Sequence, residues 1–217
     1  MVRKAWGLLV FVFLSASAIN AIAAEVGLVT VAHGQIKLQE EKSAAADLKP
    51  FVKLRSGDRI TLANGARLQM VYFEGGRQET WQGAGALEVG TGASTALKGG
   101  LQPEVKTLPP ILVKQLSKTP GPDGNVKAGM IRMRSMPAGG TLESVEKNYA
   151  ELRGQADPAD RNPELYLLAS YFELREFDKV DALLQQLGDK SPNDLEVKVL
   201  VALYKRAVGN VQASMKK

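Results

Sequence analysis

The chain has 217 residues, 45% of them hydrophobic and 24% charged, with a formal net charge of +5, one histidine and no cysteine. That length allows one large domain or two small ones, and the missing cysteine excludes disulfide frameworks, thiol ligands and a cysteine-borne lipid anchor. The basic side chains are spread out rather than clustered, which argues against nucleic acid as a partner.

Arg3 and Lys4 precede an apolar run from Leu8 to Leu14, and Ala21-Ile22-Ala23 supplies a small-x-small pattern. This succession of basic, apolar and small segments is that of a secretory signal peptide. The apolar run is short against the roughly 20 residues of a membrane span. Residues 1–23 are therefore expected to be a signal peptide cleaved near Ala23, leaving a periplasmic chain with no membrane span. Loss of Arg3 and Lys4 lowers the net charge from +5 to +3.

Residues 25–100 read as β structure. Val26 to Val31 is rich in β-branched residues, and Gln35-Ile36-Lys37-Leu38 alternates polar with apolar. A polar connection from Glu40 to Lys49 leads to Phe51–Leu54 and the turn Ser56-Gly57-Asp58. Arg59–Leu62 alternates again, Asn64-Gly65 signals a tight turn, and Arg67–Phe73 is the next strand. Gln78–Gln82 and Ala86–Val89 complete the series. Short strands at regular spacing with glycine turns predict an antiparallel all-β sandwich or barrel-like module.

Residues 101–140 read as a linker. Gly99-Gly100 and Pro103 open it, Pro109–Leu116 fits a short helix with proline in its first turn, and Gly129–Arg134 fits one extra strand. Residues 141–209 change period. Thr141 suits an N-cap, and Leu142, Val145, Tyr149 and Leu152 share a helical face. Asn162-Pro163 reads as a cap and first-turn proline, followed by Leu165, Leu168, Ala169 and Phe172 at i, i+3, i+4, i+7. Val180, Leu183, Leu184 and Leu187 repeat the stripe, Gly188 is expected to end that helix, and Pro192 marks the next start. Four helices in two antiparallel hairpins are expected, then a basic tail at 210–217. The fold class is thus α+β and multi-module. Residues 25–140 carry 15 basic and 10 acidic side chains, residues 141–209 carry 9 and 13. Opposite signs suggest that the modules dock on each other or face different partners.

The β half resembles the FecR domain of bacterial envelope proteins. The segment Leu54-Arg-Ser-Gly-Asp-Arg-Ile-Thr-Leu-Ala-Asn-Gly-Ala66, the strand Leu68–Phe73, Gly75, and Gly83-Ala84-Gly85 before Leu87-Glu88-Val89 carry the resemblance, over roughly residues 26–92. It implies a periplasmic β module suited to contacting proteins or cell-wall material. The family's cytoplasmic signalling segment is replaced here by the signal peptide, so the signalling role does not carry over. Residues 141–207 resemble tetratricopeptide repeats, with Phe177-Asp-Lys-Val180 at the turn into a second helix and Leu184, Leu187 and Pro192 at later positions. Val180 stands where a small residue is usual. A repeat array normally needs about three units, so these helices are expected to pack on the β module or on another chain.

No catalytic constellation is legible. His33 lies beside Gly34 with no second histidine to join it at a metal, and reads as a turn residue. The acidic pair Glu40-Glu41 reads as solvated surface, and the glycine-rich stretches lack the context of a phosphate loop. No cofactor and no enzymatic activity are expected. Three aromatic residues are candidates for partner binding. Tyr72 and Trp81, on neighbouring strands, either pack in the core as a cross-strand pair or form an exposed platform. Tyr171, beside the core residue Phe172, is placed to line a groove between helices. The expected function is a non-enzymatic periplasmic scaffold contacting an envelope protein. The alternative is a cell-wall protein holding peptidoglycan or another glycan on its β module.

Overall fold

The computed structural model describes residues 24–41, 43–122 and 140–215. Among them ten strands come first and five helices follow, so the fold is α+β with the two element types segregated along the chain. The expected signal peptide and the strand expected at 129–134 lie outside the described residues.

The first antiparallel sheet comprises β1 (Glu25–His33), β4 (Lys53–Arg55), β6 (Arg67–Tyr72), β7 (Arg77–Gln82) and β10 (Glu104–Thr107), in the order β10-β7-β6-β1-β4. The second comprises β2 (Ile36–Gln39), β3 (Ala46–Asp47), β5 (Arg59–Leu62), β8 (Gly85–Val89) and β9 (Ser94–Lys98), in the order β3-β2-β5-β8-β9. The alternation read in the sequence places Ile36 and Leu38 of β2, Ile60 and Leu62 of β5, and Leu87 and Val89 of β8 on one face. They meet Val29, Leu54, Leu68, Met70 and Trp81 from the first sheet in a sandwich core.

Two turns show how the chain moves between sheets. Gly57 takes φ +92°, a left-handed conformation that favours glycine. The Asp58 carboxylate then accepts the Arg55 backbone N–H at 2.7 Å, and Gly57 and Asp58 exchange backbone bonds with Val89 of β8. Asn64-Gly65 does form a tight turn, closed by Ala66 N–H on Ala63 O at 3.1 Å. It does not close a hairpin, because β5 and β6 belong to different sheets and the turn carries the chain across the sandwich.

The stretch expected to be a linker is structured in part. Gly99 to Pro103 joins β9 to β10, the outermost strands of opposite sheets, and β10 leads through Pro109 into helix α1 (Pro110–Leu116). The helical layer is α2 (Leu142–Gln155), α3 (Asn162–Leu174), α4 (Phe177–Lys190) and α5 (Leu195–Met215), each packed on the next, with α1 against α3. Thr141 is the N-cap of α2, its hydroxyl oxygen accepting Ser144 N–H. Asn162 is not a cap. Arg161 holds that position, the Asp160 carboxylate accepts the Asn162 N–H, and the Asn162 side chain is left for another task. Gly188 lies inside α4, which runs on to Lys190. Among the described residues no helix is long and apolar enough to cross a membrane.

The helical layer sits on the outer face of the first sheet. Leu28 and Val71 on that face, with Phe51, join Leu112, Val113 and Leu116 of α1 and the buried stripes of α2 to α5 in one continuous apolar core. Phe51 accepts a left-handed φ of +65° for this position, its N–H held by Val29 O at 2.8 Å. Strand β6 is therefore covered on both sides, Met70 and Tyr72 by the second sheet and Val71 by the helices.

Candidate binding cleft

Beyond Leu28 and Val71 the outer face of the first sheet turns polar. Gln78 of β7 lies between Val71 of β6 and Lys106 of β10, Gln69 lies between Val31 and Thr80, and Arg67 lies between His33 and Gln82. Helices do not seal this end. The α2–α3 connection and the start of α5 stand over it and leave a cleft of about 770 Å³. Gln69, Gln78, Arg67 and Lys106 form its floor. Its roof is built by Gln155, Asp157, Asp160, Arg161 and Asn162 on one side and by Asp194 and Glu196 on the other.

The roof is held by polar contacts within the helical layer. Arg153 donates to the Glu164 carboxylate and to the backbone oxygens of Asp157 and Asp160, which fixes the α2–α3 connection. Arg161 pairs with Asp194, tying that connection to the start of α5. Two contacts tie roof to floor. The Asn162 side chain, 1% exposed, donates to Gln78 Oε1 at 2.7 Å. His33 Nε2 stands 3.3 Å from Glu196 Oε1, outside hydrogen-bond geometry. The His33 side chain is 60% exposed on the rim, while that of Glu196 is only 7% exposed. Burial pushes the Glu196 carboxyl above its usual range, against the pull of the His33 charge.

Asn162→Ala leaves Gln78 Oε1 buried without its donor. An orphaned buried acceptor costs about 1–3 kcal/mol. We expect a fall of that size in chemical denaturation of the variant, and a loss within measurement error would show that Asn162 does not fasten roof to floor.

None of the three aromatic candidates lies in this cleft. Tyr72 and Trp81 are each 1% exposed, so neither forms a surface platform. They are not a direct cross-strand pair either, since Trp81 stands opposite Leu68. They meet through a buried polar network. Glu79, 0% exposed, accepts from Trp81 Nε1 at 3.0 Å, from Arg77 Nε at 2.6 Å and from Ser94 N–H at 3.2 Å. Ser94 Oγ is in turn 2.6 Å from the Tyr72 hydroxyl. Burial pushes the Tyr72 phenol up to about 12, opposed by its bond to Ser94. Tyr171 is 8% exposed on α3 and does not line an open groove. Its hydroxyl donates to Glu146 of α2 at 3.0 Å, and Lys179 of α4 donates to the same carboxylate and lies 5.5 Å from the Tyr171 ring centroid. The residue links three helices.

His33 lies at the end of β1 as the sequence implied, but its role at the cleft rim carried no local signal. Glu196 carried none either, because an acidic residue in a helix's first turn is common for reasons of the helix dipole alone. The cleft residues come from β1, β6, β7, β10, α1, α2, α3 and α5 and the loops between them, so no contiguous motif contains them. Comparison with protein-family models, with curated proteins and with solved structures yields no match to this chain.

Proposed function

We propose that the chain is a non-enzymatic scaffold of the bacterial cell envelope, joining a FecR-like β module to a tetratricopeptide-like helical module and holding a protein partner between them. The observation that carries this reading is the cleft itself. Its floor comes from the β sandwich and its roof from the helical layer, so a partner seated there touches both modules at once. Clefts between structural units are preferred places for binding.

The FecR-like reading draws on the Gly57-Asp58 turn and on the β6–β7 hairpin through Gly75. The tetratricopeptide-like reading draws on Phe177-Asp-Lys-Val180 opening α4 and on buried Leu184 and Leu187, while Val180 departs from it by filling a position where a small residue is usual. The succession of Arg3-Lys4, Leu8–Leu14 and Ala21-Ile22-Ala23 supports export to the periplasm. The glycan alternative draws on the amide side chains of Gln69 and Gln155 at the cleft, which suit hydroxyl-rich ligands.

A photo-crosslinking amino acid at Arg67, exposed on the cleft floor, tests the reading in living cells. A discrete protein adduct is expected there and not from the same probe at Lys98, which is exposed on the second sheet. No protein adduct, together with co-sedimentation of the purified chain with cell-wall sacculi, would replace the scaffold reading by the glycan one.

A further inference from the structure

We propose that the cleft recognises the ammonium or guanidinium group of a basic side chain on its partner, with Glu196 as the acceptor. The inference rests on the reading of the cleft as a partner site and adds the chemistry of its contact.

The carboxylates lining the cleft differ in one respect. Asp194 is occupied by Arg161 and by the backbone N–H groups of Glu196 and Val197 that it caps. Asp160 accepts the Asn162 N–H, and Asp157 accepts that of Ala159. Glu196 is the most deeply buried of the four; the Ala32 backbone N–H and His33 act on its carboxylate, but Oε1 itself meets only His33 Nε2, at 3.3 Å and outside hydrogen-bond geometry, among the described residues. Leaving a carboxylate oxygen without a hydrogen bond at such burial is unfavourable. Asp194 already supplies the cap that α5 needs, and a first-turn acid that serves only the helix dipole does not need to be buried over the cleft.

The surroundings favour a positive donor over a neutral one. Desolvation raises the Glu196 carboxyl, so a cation placed on Oε1 stabilises its charged form. A charge-assisted hydrogen bond is roughly twice as strong as a neutral one. Residues 141–209, which build the roof, carry 13 acidic against 9 basic side chains. Arg161 does not compete, being held by Asp194. His33 is the competing group nearest to Glu196, and it sits on the rim with most of its side chain in solvent. Arg67 and Lys106 are exposed on the floor and limit the site to an isolated basic residue, not a run of them.

The probe is a blocked pentapeptide with one central lysine flanked by glycines, titrated into the purified protein and followed by backbone amide NMR. Its acetyl-lysine counterpart is the control. The lysine peptide is expected to shift the amides of Ala32, His33 and Glu196, and the acetylated peptide is not. Glu196→Gln, which keeps the shape, should weaken binding by about tenfold or more, the worth of one charge-assisted hydrogen bond. It should leave thermal stability unchanged or raised, a result that a merely structural carboxylate would not give. His33→Ala removes the competitor and should tighten binding. Equal shifts with both peptides, unchanged affinity in Glu196→Gln, or no shift at these amides would each overturn the inference. If the Arg67 adduct persists in that event, only the cation chemistry is lost. If the titration succeeds, no adduct forms and the chain co-sediments with sacculi, the scaffold reading falls and the cation site stands.

Discussion

Trp81→Ala is expected to remove most of the stability of the β sandwich. The side chain is fully buried among Leu68, Met70 and Leu87, and truncating a buried tryptophan costs about 3–5 kcal/mol. The indole is also one of three donors to the buried Glu79 carboxylate. Its loss adds about 1–3 kcal/mol for an acceptor left short of a donor. Against a typical total of about 5–15 kcal/mol, the variant stands at or below the margin of folding. Trp81→Phe separates the two parts, since it keeps most of the packing and removes only the Nε1 donor. Urea denaturation of both variants, read by circular dichroism, measures the difference. A loss under about 0.5 kcal/mol for Trp81→Ala, the level of an ordinary surface change, would return the residue to the role of an accessible binding platform.

The sandwich was legible because its strands obey a period of two and its turns carry glycine or Asn-Gly. β2, β5 and β8 each alternate in the sequence as they do in the core. What period two does not encode is which sheet receives each strand. Asn64-Gly65 is a tight turn in either case, and only tertiary pairing decides that β5 joins β8 while β6 joins β1 and β7. β9 and β10 were hidden for another reason. Both are outermost strands with mostly exposed side chains, so they lack the apolar alternation that marks a half-buried strand. Asn162 reads as a cap because asparagine before proline at a helix start is a local signal, whereas its bond to Gln78 spans 84 positions.

The second cover on the first sheet did leave a trace. Met70-Val71-Tyr72-Phe73 is apolar without interruption, where a strand with one solvated face would alternate. Strands buried on both faces read as continuous apolar runs. The charge difference between the halves contributes less than the sequence suggested. Among the described residues the opposite-charge contact between the halves is Lys118–Glu173 at 2.6 Å, with both side chains about a quarter exposed, while His33 faces Glu196 from the solvated rim. Apolar burial of Leu28, Phe51 and Val71 under the helices joins the modules, and charge serves orientation.

Leu116→Ala is therefore expected to destabilise both modules together. Leu116 is fully buried where α1 bridges the outer face of the first sheet and the helical layer. Truncating a buried leucine costs about 2–5 kcal/mol, a large part of a typical total. The chain has two tryptophans, Trp6 and Trp81. In a Trp6→Phe background the fluorescence of Trp81 reports on the sandwich, and ellipticity at helical wavelengths reports on α2 to α5. The two signals are expected to move to a lower midpoint in step, as one cooperative transition. Residues 141–217 expressed alone expose the apolar faces that α1 and the sheet cover, and should be poorly stable or self-associate. If Leu116→Ala lowers the helical midpoint and leaves that of Trp81 in place, the modules fold separately. The cleft would then be a gap between independent bodies with no fixed geometry to offer a partner.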